Sequence, residues 1–175
     1  MHRAGCSVIA LFLLLSTNLF GQTGYPVPKV ENLLFYVQHN RGHNTFLYSL
    51  NFQKDGPFNR VDPVAVRRQL FDEDDAIKGL TRVQNLFAYG VKGRYVNDKR
   101  YEFTMAGHGS QIFILDLREK KPRVRTKVNG QEIFLERMFL HQTEGTSGLN
   151  TRLDYILFYG EDSAGHSLVE KLIPQ

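Results

Sequence analysis

The stretch from Pro122 to Leu140 constrains the fold more than any other part of the chain. Val124, Thr126 and Val128 alternate with Arg123, Arg125 and Lys127, so an extended segment there has one apolar face and one basic face. Asn129-Gly130 follows, a pair suited to a two-residue hairpin turn because both central positions need positive φ. Ile133 to Leu140 then supplies apolar residues to both faces of a returning strand. The pattern predicts an antiparallel hairpin with one wet face.

The opening residues have a different character. His2 and Arg3 precede the wholly apolar run Val8 to Leu15, and the polar break Ser16-Thr17-Asn18 leads to Leu19-Phe20-Gly21-Gln22. Basic, apolar and small-residue regions in that order predict a secretory signal peptide over residues 1–21. The apolar run is shorter than the roughly 20 residues that cross a bilayer, so no transmembrane span is expected in the mature protein. Cys6 lies before the apolar run and within the leader. The mature chain therefore has no thiol for a disulfide, a nucleophile or a metal site. The expected destination is the periplasm or the extracellular space. Of 175 residues, removing 21 leaves 154, enough for one domain over residues 32–175 that needs no staple. Residues 22–31, with Gly24, Pro26 and Pro28, read as a flexible approach to it.

Alternating apolar segments recur through that domain. Strands are expected over residues 32–38, 44–51, 91–96 and 111–117, with Pro63 interrupting one over 61–70. Tyr101, Phe103 and Met105 alternate with polar residues, as do Leu153, Tyr155, Leu157 and Tyr159, and a last strand covers 166–173. Asp72 to Asp75 forms an acidic connection that could start a helix. Leu80, Val83, Leu86 and Phe87 recur at helical spacing, so one short helix spans 80–89 and covers the sheet or plugs one end of a barrel. Residues 141–150, with two glycines, form a surface loop. The sum is a mainly β protein: an antiparallel barrel-like sheet of about eight to ten strands with one short helix, or a two-layer β-sandwich.

The chemistry-bearing residues are scattered. His108 sits between Gly107 and Gly109, and an acid or base role there needs a partner the sequence does not place. His141, Glu144 and Asp154 form a polar cluster only if folding gathers them. Tyr155, Tyr159 and Phe103 are candidates to line an apolar pocket, though aromatic side chains also simply fill a core. Arg123, Arg125 and Lys127, with Lys120 and Lys121 just before them, are candidates for anion binding, although an outer strand face is polar in any case. The acidic run 72–75 lacks the spacing of a calcium loop, and no phosphate-cradling glycine loop is present, so no metal site and no cofactor are expected. A formal charge of +4, and +3 without Arg3, gives no case for nucleic acid.

Three segments carry a resemblance: Asn32-Leu33-Leu34-Phe35-Tyr36-Val37-Gln38, Val61-Asp62-Pro63-Val64-Ala65-Val66 and Leu86-Phe87-Ala88-Tyr89-Gly90-Val91. Together they resemble an uncharacterised bacterial family, domain of unknown function 4833, over roughly residues 32–173. The resemblance implies an exported protein of the Bacteroidetes and a small single domain. It implies no activity.

Three functions follow as expectations. The first is a non-catalytic exported module that binds a small apolar molecule or a component of the cell envelope. It requires an aromatic-lined cavity opening beside residues 143–149, and a filled interior contradicts its internal-ligand form. The second is a hydrolase-like enzyme, which requires His108 or His141 in a concave site within reach of a carboxylate or hydroxyl. The third is a structural or interaction module using the basic strand face. Binding or structural roles are favoured over catalysis, and the sequence does not specify an oligomeric state.

Overall fold

A computed structural model describes residues 24–53, 58–118 and 121–174. The segment read as a signal peptide, the Asp55-Gly56-Pro57 loop and Lys120 lie outside the described residues. The elements in chain order are β1 (Leu33–His39), β2 (Gly42–Leu50), β3 (Val64–Leu70), β4 (Ala76–Gly79), α1 (Arg82–Phe87), β5 (Val91–Asn97), β6 (Arg100–Met105), β7 (His108–Asp116), β8 (Arg123–Val128), β9 (Gln131–Gln142), β10 (Leu153–Glu161) and β11 (Ser167–Leu172). A single 3₁₀ turn, Gly148–Asn150, lies in the loop before β10.

The hairpin that dominates the sequence forms as its residues dictate. Asn129 and Gly130 take φ of 50° and 88°, the pair of left-handed conformations that a two-residue turn needs. On β8, Val124, Thr126 and Val128 are buried while Arg123, Arg125 and Lys127 face outward. β3 begins at Val64, directly after Pro63, whose missing N–H cannot join a ladder. The acidic run does not start a helix. Asp74 and Asp75 adopt φ of 51° and 59° in a turn that feeds the short strand β4.

All eleven strands belong to one mainly β sheet, curled into a half-barrel. Nine follow the order β4-β3-β2-β1-β9-β8-β7-β6-β5, and β10 with β11 branches from the other edge of β9. The sheet is mixed where a wholly antiparallel one was expected, because β1 runs parallel to β9. β9 is long enough to hold two neighbours in succession along one edge. Residues 131–134 pair with β8, and residues 137–140 pair with β1. Two four-strand wings thus leave the same edge and face each other across the core.

Aromatic residues fill the space between the wings. Phe35 of β1 stacks on Tyr48 of β2 at 4.3 Å and on Phe113 of β7 at 5.8 Å, and Phe113 stacks on Phe103 of β6 at 5.3 Å. All four are buried. The half-barrel leaves three outer strands: β4, β5 and β11. The first has four residues, and all three carry lysine or arginine, which discourages edge pairing. The start of the described chain is pinned rather than loose. Gln38 donates from Nε2 to the Pro26 carbonyl at 2.7 Å, and the Tyr25 ring meets Phe139 edge-on at 5.2 Å, covering an apolar residue on the outer face.

Candidate functional site

One end of the half-barrel holds a cleft of about 1150 Å³. Its floor is the inner face of the sheet, with Met105, Met138, Leu140 and Ile156. One wall is α1, and the roof is the loop between β9 and β10, from Gly145 to Thr151.

Local chemistry explains how α1 comes to form this wall. Thr81 caps its start, accepting from the Gln84 N–H while the Gln84 side chain accepts from the Thr81 N–H. At its end the Ala88 carbonyl accepts from Gly107 N–H at 2.8 Å, tying the helix to the β6–β7 turn. Tyr89 is held beneath it by stacking on Phe46, and its carbonyl accepts from the Tyr48 hydroxyl at 2.7 Å. None of the residues of α1 is buried. Val83 and Phe87, at 56% and 59% exposed, belong to the apolar stripe expected to cover the sheet or plug one end of a barrel, and both line the cleft at the end of the half-barrel.

The roof is anchored at its base. Asn40 accepts from Gln142 N–H at 2.8 Å and donates to the Gln142 carbonyl at 3.1 Å, and Arg41 donates to the Thr143 carbonyl at 3.2 Å. Among the described residues, Arg41 is the only arginine, lysine or acid lining the cleft. His108 also lines it. Its Nε2 is enclosed and has no hydrogen-bond partner, and burial pushes its pKa down, so the ring is neutral at physiological pH.

Burial also lowers the pKa of His39, which is half-buried near Phe46. For both histidines the folded pKa lies below the ordinary 6.5, so the unfolded chain binds more protons between the two values. Their contribution is intact above pH 6.5 and erodes as pH falls through the folded values. Thermal denaturation is therefore expected to show a midpoint that declines between pH 7 and pH 5, with a smaller decline in the His39→Gln/His108→Gln double variant. Asp116 acts in a different window. The Arg118 guanidinium holds it down to about 2, so its contribution is lost only on further acidification, once the pH drops below the ordinary carboxylate value of 3.8.

His141 and Asp154 do come together, on the opposite face of the sheet. His141 Nδ1 lies 3.0 Å from Asp154 Oδ2, and the Thr143 hydroxyl donates to Asp154 Oδ1 at 2.7 Å. The Thr143 hydroxyl and then His141 hold the Asp154 carboxyl below its ordinary range. The His141 ring stacks on Tyr155 at 4.5 Å, and the Lys171 ammonium sits 4.1 Å from the centroid of that tyrosine ring. Glu144 stands exposed on the loop and forms no hydrogen bond or ion pair with this group. The two requirements for acid–base catalysis are thus split. His108 lines the cleft with no hydrogen-bond partner on its Nε2 among the described residues, whereas His141 has the partners but does not line that cleft.

The remaining candidates fall elsewhere. Phe103 is enclosed in the core stack, and Tyr159 lies under the Arg137 guanidinium at 3.9 Å. Arg123 pairs with Glu161 at 2.7 Å, and Arg125 pairs with Glu132, while Lys127 sits opposite Glu132 in the ladder. Two of the three cations of the basic stripe are therefore already neutralised by carboxylates. Among the described residues no cluster of histidine, cysteine, aspartate or glutamate could hold a metal ion, and no helix is long and apolar enough to cross a membrane. Sequence reasoning singled out His108 but missed Arg41, Met105 and Met138 as cleft residues. Only the 143–149 loop signalled the place.

No curated protein and no solved structure matches the chain. The family model that does match, described as a domain of unknown function, covers residues 35–171, from the first wing strand to the last outer strand. With every strand of the curled sheet wholly or largely inside that match, the chain belongs to the DUF4833 family.

Proposed function

We propose that this chain is an exported, non-catalytic module that holds a small apolar or amphiphilic molecule, such as an acyl chain of an envelope lipid, in the end cleft. The observation that carries the reading is the cleft itself: about 1150 Å³, walled by Val83, Phe87, Met105, Met138, Leu140 and Ile156, beside the loop at 143–149. The interior between the wings is filled by aromatic rings, so the ligand's place is the end of the half-barrel and not its middle.

The energetics favour an occupant. Apolar surface left in water costs roughly 25 cal/mol per Å² relative to burial, and α1 keeps Val83 and Phe87 more than half exposed on the cleft wall. A six-residue helix has no stability of its own, so its apolar face is held there by the cap and the β6–β7 turn. A ligand's apolar body covers that face, while a polar end meets Arg41 at the rim. Export rests on the basic–apolar–small pattern of residues 1–21.

The test is fluorescence titration with N-phenyl-naphthylamine, a neutral probe that brightens in apolar surroundings. The native protein is expected to bind it. Phe87→Glu should weaken binding by at least about tenfold, equivalent to about 1.4 kcal/mol, because a carboxylate in the wall must be desolvated. Val96→Glu, an exposed position on β5 outside the cleft, should leave binding unchanged. Equal affinities for the two variants, or no brightening with the native protein, would contradict the reading.

A further inference from the structure

The two wings part from β9 at Leu135 and Glu136. Phe134 is the last residue of β9 paired with β8, and Arg137 is the first paired with β1. On the other edge the register with β10 also slips here. Tyr159 faces Arg137 and Gly160 faces Leu135, so Glu136 is an inserted residue without a partner. A bulge of this kind turns the following side chain, and bulges recur where a strand aims a residue at a site. The side chain aimed here is Arg137.

Arg137 is 9% exposed and carries a full positive charge. No carboxylate lies within ion-pair distance of it among the described residues. Its cross-strand neighbours are two tyrosines. The guanidinium carbon lies 3.9 Å from the centroid of the Tyr159 ring, and the Arg137 charge and its hydrogen bond to the Tyr36 hydroxyl oppose the effect of burial on that phenol. Nη2 is enclosed and has no hydrogen-bond partner among the described residues. Cation–π contact contributes about 2 kcal/mol at a desolvated site, against several kcal/mol for burying a charge. Five N–H donors with one hydroxyl acceptor leave the guanidinium under-satisfied.

The part of Arg137 that is not enclosed lines a groove of about 730 Å³ at the parting of the wings. Among the described residues the charged side chains around it are Lys121, Arg123, Glu136, Arg137 and Glu161. Arg123 and Glu161 neutralise each other, which leaves Lys121 and Arg137 against Glu136. The net excess is one positive charge beside a buried fork of donors. We infer that this groove is an oxyanion site, in which Arg137 binds a carboxylate, sulfate or phosphate group carried by a ligand. It is separate from the end cleft, whose lining shares no residue with it.

The test measures the thermal midpoint of the full chain as chloride is replaced by acetate, sulfate or phosphate at constant ionic strength and pH 7. The native protein is expected to gain stability with at least one oxyanion in a saturable manner, since a ligand bound only by the folded state raises the midpoint. Whether acetate or the tetrahedral anions act identifies the chemical source. Arg137→Met, similar in length and uncharged, should fold with an unchanged or raised midpoint in chloride and should lose the saturable gain. Arg137→Lys keeps the charge without the fork and should lose most of it. Arg94→Met, at an exposed position of β5 that lines neither cleft nor groove, should keep the full gain. The same gain in Arg137→Met as in the native protein, or no saturable gain with any oxyanion, would overturn the inference. Should Arg137→Met fail to fold, Arg137→Lys decides on the same criterion.

Discussion

Phe35→Ala is expected to cost about 3–5 kcal/mol, the range for truncating a phenylalanine in a filled core. The ring touches both wings, stacking on Tyr48 within its own and on Phe103 and Phe113 across the gap. Its loss removes a central contact between the two half-sheets, and the stacked neighbours cannot close the space without leaving their strands. Against a total stability of roughly 5–15 kcal/mol for a domain, this is a large fraction. Urea denaturation should show a lower midpoint with little change of slope. A loss below about 1.5 kcal/mol, typical of a volume-conserving swap, would mean that the wings are not coupled through this ring.

Gly160→Ala is expected to be nearly as severe, by the opposite mechanism. A Cβ at this position would stand 2.0 Å from the Phe134 carbonyl oxygen and 2.9 Å from Ile133 Cγ2. The first obstacle is backbone, which cannot rotate away as a side-chain tip can. The glycine lies beside the bulge at Glu136, where β10 pairs side by side with β9. Overpacking of this kind costs about 1–3 kcal/mol and occasionally more; with a backbone obstacle, about 3 kcal/mol is expected here. Urea denaturation measures it, and hydrogen exchange should show loosening along β9 and β10 first. A change within about 0.5 kcal/mol, ordinary for a surface position, would contradict the close approach.

Much of this fold was legible because it is local. Alternation in Arg123–Val128 and Tyr101–Met105, and the Asn129-Gly130 turn, are decided by neighbours in sequence, and each formed as read. The pairing of β1 with β9 was not legible. It joins residues about a hundred positions apart, both strands are apolar on two faces, and nothing local to either names the other. It is this pairing that makes the sheet mixed and splits it into wings. The four-residue β4 was hidden because an acidic run beside Ala76–Gly79 reads equally well as a helix start.

The candidate site divides in the same way. Helical spacing correctly gave α1 an apolar stripe, but periodicity reports that a face is apolar and not what it faces. Val83 and Phe87 turned out to bound a cleft. The aromatic residues proposed as pocket lining were in the strands, where alternation sends Phe103 into the core and Tyr155 and Tyr159 to the outer face, where Tyr159 lines the groove beside Arg137. His141 and Asp154 meet because β9 and β10 pair, which alternation allowed without fixing the register. Arg137 gave no signal at all. A lone arginine in an apolar strand becomes notable only once its burial and its missing counter-charge are seen.

The most direct test of the end cleft is diffraction from crystals of the protein grown with a bromine-tipped fatty acid, locating the bromine by its anomalous scattering. The account predicts one dominant bromine site among Phe87, Met105 and Ile156, with the carboxylate end toward Arg41. Bromine found only outside that cleft, or nowhere on the protein at saturating ligand, would contradict it.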